Sequence, residues 1–251
     1  MFQLDSGQSE TTHQQKSFFQ SDLFRALPAE IAETLAAARR NLILQKNQTL
    51  MLQNDPADWF YYISSGWVKV YRETKDGDEA VVELLGAGAF VGENALFEGN
   101  VYSSDAAAIE EVKLVRFPVS LLKEALVSCH STAVAILQIY ANKNERQTRE
   151  LESLKLQGTP QRIGCFLLRE CKGKAEGSLS FDLPYGKALV AAQLGMKGET
   201  FSRALTKLRT ATNVEVRGSK IRVPDIEKLA SYVCAGCSNE YPCKDLIRNA
   251  Q

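Results

Sequence analysis

The chain is short of the residues most enzymes use to move protons. Among 251 residues there are two histidines, His13 and His130, so acid–base options are thin. No Ser, His and Asp set, no glycine-rich phosphate loop and no HExxH pair is visible, and the expectation is a protein without catalytic activity. Apolar runs approaching about 18 residues are also missing, as is a basic stretch leading into an apolar one at the start. Those absences predict neither a membrane span nor a secretion signal, and hence a cytoplasmic location. Six cysteines in that setting read as thiols or metal ligands rather than as a disulfide framework.

Net charge is the next thing lacking, because 30 Lys and Arg balance 30 Asp and Glu. The charges are nonetheless segregated. From Lys155 to Val223, 13 basic residues stand against 5 acidic ones, a net +8, and the rest of the chain is correspondingly acidic. A basic segment on a neutral chain marks where DNA or another polyanion would sit.

Four regions follow from texture. Residues 1 to about 16 are polar, with no apolar period, and predict a disordered tail. Leu23, Leu27, Ile31 and Leu35 have helical spacing, with Ser21 and Asp22 as caps and Pro28 opening a second helical stretch. Leu42 to Phe117 changes to short alternating runs cut by Gly, Pro, Asn and Asp, the pattern of a β domain. Within it Trp67–Tyr71 and Ala80–Leu84 flank Asp76-Gly77 and predict a hairpin.

From Thr132 to Gln157 there is neither Gly nor Pro, and Val134, Leu137, Ala141, Thr148 and Leu151 recur at helical steps. One long helix fits, too long for one small domain to cover, so a partner helix is expected. Gly158-Thr159-Pro160 ends it. A second domain begins at Gln161 with an amphipathic helix, a strand near Leu179–Leu183, two short helices and a hairpin turning at Gly218-Ser219. The domains are therefore placed at residues 18–130, 131–158, 159–226 and 227–251.

The two short helices meet through Leu194-Gly195-Met196, the spacing of a helix-turn-helix whose second helix enters the major groove. On that helix Glu199, Ser202 and Arg203 lie at i, i+3 and i+4, on one face. An Arg fork can donate to guanine O6 and N7, a Glu can accept from cytosine N4, and a Ser can reach phosphate or a base edge. Phe201, Leu205 and Leu208 then face the core.

The run Leu194-Gly195-Met196-Lys197-Gly198-Glu199-Thr200-Phe201-Ser202-Arg203 resembles the recognition helix of the CRP/FNR superfamily of transcription regulators. The Ser at 202 is similar to the FNR branch rather than to the cAMP receptor branch. Tyr61–Val70, the Gly88–Glu93 segment, Leu96 and Phe97 resemble the same superfamily's sensor domain. The resemblance implies an α+β chain: an N-terminal β-roll of the cyclic-nucleotide-binding, jelly-roll kind, a long dimerisation helix and a winged helix-turn-helix. It also implies a homodimer, contacts to double-stranded DNA from Lys197, Glu199, Thr200, Ser202 and Arg203, a TTGAT-like inverted repeat, and RNA polymerase as a partner. Where cAMP-binding relatives carry an Arg-Ser pair after the Gly-Glu segment, this chain has Ser103-Ser104. Without that guanidinium an anion would be buried unpaired, so Gly88, Gly92 and Glu93 are expected to serve the roll's turns.

Beyond the family's usual end stand Cys234, Cys237 and Cys243, a C-x2-C-x5-C array with Pro242 before its last member. Two thiolates two residues apart can chelate one centre, and a third suits another corner of an iron–sulfur cluster. The array resembles FNR-like regulators of some Gram-positive bacteria, which implies a four-iron, four-sulfur (4Fe-4S) cluster and oxygen, nitric oxide or redox state as the signal. A structural zinc, or thiols with a redox role, remains an alternative, as does haem on His130 or another small effector in the roll. The fourth ligand is open among Cys129, His130, Cys165, Cys171 and a carboxylate, although core packing is the expected job of Cys165 and Cys171.

Overall fold

Alternation along the strands from Arg40 to Pro118 builds two four-stranded antiparallel sheets. The structure is a computed structural model that describes residues 17–73, 79–97, 99–171, 176–183, 185–237, 241 and 243. The N-terminal tail at 1–16, the Asp76-Gly77 turn and Pro242 lie outside the described residues. The chain divides into two units, residues 1–142 and 143–251.

In the first unit, α1 (Asp22–Ala26) and α2 (Ala29–Ala38) precede the strands. Ser21 caps α1, its hydroxyl accepting from the Phe24 amide, and Pro28 stands at the N-cap of α2. The strands are β1 (Arg40–Leu44), β2 (Thr49–Met51), β3 (Trp59–Ser65), β4 (Val68–Glu73), β5 (Glu79–Leu85), β6 (Phe90–Val91), β7 (Asp105–Ala108) and β8 (Val112–Pro118). One sheet runs β1-β8-β3-β6 and the other β2-β7-β4-β5. The expected hairpin forms between β4 and β5, with a register shift at Val70/Tyr71.

β3 reads as an unbroken apolar run because both of its faces are covered. Tyr61 and Ile63 join Val112 and Leu114 in the core that also holds Val68, Val91 and Ala106. Phe60 and Tyr62 join Val115 and Phe117 on the opposite face, under Phe18, Phe24 and Leu35. Two further helices follow, α3 (Val119–Ser128) and α4 (His130–Leu156). Ile136 of α4 is buried in that second core, whereas Val134 and Leu137 are 40% and 66% exposed, uncovered by the described residues. No single helix among the described residues is long and apolar enough to cross a membrane.

The second unit comprises the C-terminal part of α4, α5 (Thr159–Glu170), β9 (Leu179–Asp182), α6 (Lys187–Gln193), α7 (Gly198–Thr212), β10 (Glu215–Arg217), β11 (Lys220–Val223) and α8 (Ile226–Cys234). β9, β11 and β10 form a small antiparallel sheet. The helix α8 falls in a stretch taken from sequence as a cysteine-rich extension. Its signals were present: Asp225 accepts from the Lys228 amide as an N-cap, and Ile226, Leu229, Ala230 and Val233 fill one buried face.

α5 packs against both α7 and α8, and Gly164 is why it can. A Cβ placed there would lie 2.4 Å from Val233 Cγ2 and 3.3 Å from Leu208 Cδ1. Gly164→Ala is expected to cost about 1 to 3 kcal/mol, the range for overpacking. A denaturant melt should show the loss, and Val233→Ala should restore part of it. Two single variants as stable as the parent would contradict the packing described.

Candidate nucleic-acid interface and cysteine site

The turn between α6 and α7 is held by backbone and by one arginine. The Gly195 and Met196 amides donate to Ala192 O and Ala191 O at 3.0 and 2.8 Å, and Arg162 Nη1 donates to Leu194 O at 3.0 Å. Gly195 has φ +63°, a conformation that side chains with a Cβ seldom adopt. Met196 is buried beneath the turn, which fixes the angle at which α7 leaves it.

On α7 the inner face carries Phe201, Ala204 and Leu208, all buried, with Leu205 only partly so. The outer face carries Lys197, Glu199, Thr200, Ser202 and Arg203, all exposed. Arg203 donates to the Glu199 carboxylate across one turn. Both side chains are 76% exposed, and an exposed pair of this kind is worth about 0 to 1 kcal/mol. The pair therefore opens at little cost. Ser202 Oγ donates to Gly198 O at 2.9 Å and stays at the surface. The β10–β11 wing adds exposed Arg217, Lys220 and Arg222. These wing cations went unassigned in the sequence, although the charge count between 155 and 223 had already marked them.

The three C-terminal cysteines fall at the end of α8. Cys234 is its last residue, and the Cys237 amide donates to Cys234 O at 3.0 Å, closing the C-x2-C turn. At Gly236 a Cβ would lie 2.9 Å from the Gln161 amide nitrogen on α5. Burial raises the Cys234 thiol to about 11, helped by Cys237, Cys165 and Cys243. Burial likewise raises Cys165, with Arg169 opposing and Cys243 and Cys237 adding to the rise. Tyr241 is raised by burial, then by Cys171, Cys234, Glu227 and Cys243. Four thiols from two helices and the tail are thus near enough to act on one another's ionisation.

Among the described residues, no three His, Cys, Asp or Glu side chains are gathered tightly enough to enclose a metal ion. The sulfurs neighbour one another without closing on a common centre. Their chemistry fits a thiophilic centre such as iron–sulfur or zinc. Cys165 is half-buried on α5, and burial is the main reason its thiol is raised. Cys171 does pack inside, 1% exposed, its thiol donating to Leu167 O at 3.3 Å.

Cys129 belongs to the other unit, at the start of α4. Its sulfur lies 3.1 Å from Ser131 Oγ, and that hydroxyl, then the hydroxyl and amide of Thr132, lower the thiol to about 7. The thiolate is the reactive form, so iodoacetamide labelling of Cys129 should be half-maximal near pH 7 and slower below it. Ser131→Ala should move that midpoint upward. Peptide mass spectrometry reads both, and a midpoint near 9 in the parent would contradict the assignment.

In the roll, Gly88 and Gly92 have φ of 94° and 82°. Tyr102 occupies the interior, its hydroxyl donating to Trp59 O at 2.7 Å with Tyr61 Oη 3.5 Å away. Ser104 and Asp105 are buried, and Asp105 accepts from the Gln53 amide at 2.9 Å.

A β-roll, a long helix and a winged helix-turn-helix with an exposed polar recognition face define a DNA-binding transcription regulator. Residues 42–129 match the cyclic nucleotide-binding domain family, and residues 161–232 match the Crp-like helix-turn-helix domain family. The chain is 24% identical to a CRP-like cAMP-activated global transcriptional regulator of Mycobacterium tuberculosis, over 83% of this chain and 94% of that protein. It is 25% identical to the fumarate and nitrate reduction regulatory protein of Salmonella typhi, over 75% and 76%. A crystal structure described as a candidate cyclic nucleotide binding protein, from Ruegeria pomeroyi, is similar with a TM-score of 0.64 at 30% identity, over 88% and 97%. The chain belongs to the CRP/FNR superfamily of transcription regulators.

Proposed function

We propose that the protein is a cytoplasmic homodimeric regulator that reads an inverted repeat of TTGAT-like half-sites and responds to oxygen, nitric oxide or redox state through an iron–sulfur cluster on Cys234, Cys237 and Cys243. The observation that carries the DNA half is the outer face of α7, where Glu199, Ser202 and Arg203 protrude together. Arg203 reads guanine, Glu199 accepts from the paired cytosine, and Ser202 makes a neighbouring contact. Lys197 and Thr200, at the start of the helix, reach phosphate. A second copy of the chain covers Val134, Leu137 and Leu151 on α4, exposed apolar residues at heptad-compatible positions. RNA polymerase is the partner through which the bound dimer acts.

The sensing half rests on the donor set. When bound, the cluster supplies a centre that oxidants can dismantle. The chain's own residues hold the thiols at the junction of α5 and α8 and tie that junction to the helix-turn-helix through Arg162 and Leu194. Loading and loss then bias an equilibrium between DNA-competent and incompetent dimers. The cAMP of the mycobacterial relative is not carried over, since Ser103 and Ser104 provide no guanidinium and Tyr102 occupies the roll's interior.

The test is retardation of a TTGAT-N4-ATCAA duplex by full-length protein purified anaerobically, before and after exposure to air. Sequence-specific binding that differs between the two states is expected. Equal affinity for a scrambled duplex in both states would defeat the proposal.

A further inference from the structure

α5 and α8 approach each other through residues that flank their cysteines. Gln161, Gly164 and Cys165 lie at i, i+3 and i+4 of α5, on one face. Gly164 abuts Val233, the residue before Cys234, and Gln161 abuts Gly236, the residue before Cys237. Gln161 Nε2 also donates to Tyr232 O at 3.5 Å. The helix contacts therefore bracket the thiols: Cys165 follows one contact on α5, and Cys234 and Cys237 follow their partners on α8 and its turn.

Resting on the metal-centre reading above, we propose that Cys165 supplies the fourth thiolate of the centre, joining Cys234, Cys237 and Cys243. The other thiols fit less well. Cys171 is buried and bonded along its own helix to Leu167 O, and Cys129 lies against the Ser131 hydroxyl. Each thiol gives up its proton to solvent as its sulfur takes the metal. A four-thiolate centre is net negative for either [4Fe-4S] or zinc, and Arg169, one turn beyond Cys165, lies beside that sulfur to offset part of the charge. The same Arg169 pairs with Glu150 of α4 at 3.7 Å. Occupancy of the centre is thereby felt on the helix that leads into the DNA-binding domain.

The experiment compares full-length wild type, Cys165→Ser, Cys165→Ala and Cys129→Ser, all purified anaerobically, with circular dichroism as the check on folding. Iron, sulfide and zinc are assayed per chain and the visible spectrum is recorded. Wild type and Cys129→Ser are expected to carry about four iron and four sulfide, and both Cys165 variants to lose the cluster or release it at least 10-fold faster. Folded Cys165 variants with wild-type content and spectrum would overturn the proposal. A colourless wild type holding zinc that both Cys165 variants lose would support the fourth-ligand role while ending the iron–sulfur reading. A second measurement needs no metal: diamide oxidation of the metal-free chain, in which two thiols lose two electrons and two protons to form a disulfide. Peptide mapping should find Cys165 linked to Cys234, Cys237 or Cys243. A Cys165 absent from every such link overturns the juxtaposition itself, and a wild type that forms the links but takes up neither iron nor zinc overturns the ligand role.

Discussion

Alanine in place of Arg203 is expected to weaken operator binding by about 1 to 3 kcal/mol per half-site, roughly 5- to 150-fold, and to relax the preference at one base pair. The physical reason is a lost two-pronged donor to guanine with no compensating relief inside the protein. Arg203 is 76% exposed and, among the described residues, is bonded to Glu199 on its own helix, so the substitution leaves the core of Phe201, Ala204 and Leu208 untouched. Melting should stay within about 0.5 kcal/mol of the parent, as for other exposed positions. Fluorescence anisotropy with operators substituted one position at a time reads both affinity and preference. An unchanged preference at every position would remove Arg203 from base recognition, whatever happened to affinity.

A chain carrying Leu137→Glu together with Leu151→Glu is expected to be monomeric at micromolar concentration and to bind the inverted repeat roughly 100-fold or more weakly. The two leucines are 66% and 58% exposed, so each carboxylate is solvated in the isolated chain and folding is spared. Against a second helix the same carboxylates would be stripped of water without partners, a cost that the interface cannot offset. Half-sites would then be bound one at a time, and the gain from tethering two recognition helices would vanish. Light scattering and footprinting test the two halves separately. A persisting dimer would move the interface away from this stripe of α4.

Much of the winged helix-turn-helix was legible in the sequence because its signals are local. The Gly195 turn, the i, i+3, i+4 placement of Glu199, Ser202 and Arg203, and the wing turning at Gly218-Ser219 each span fewer than ten residues, and periodicity alone assigns their faces. The hairpin of β4 and β5 was legible for the same reason. The short helix α3 was not legible, since Val119–Ser128 follows a strand with only Pro118 as a marker. The helix α8 was less legible because its Asp225 cap and apolar face lie directly before the cysteine array.

By itself, the sequence determined the helix-turn-helix spacing, the polar outer face of its second helix and the three clustered tail cysteines, all properties of residues close along the chain. Tertiary structure alone decided that both faces of β3 are buried and that Tyr102 fills the roll. It also decided that α5 lies against α8 and the turn after it, at Gly164 and Gly236, so that elements carrying Cys165 and Cys234, some seventy residues apart in the chain, pack together. Side-chain period fixes which way a residue points, while packing fixes what it meets there.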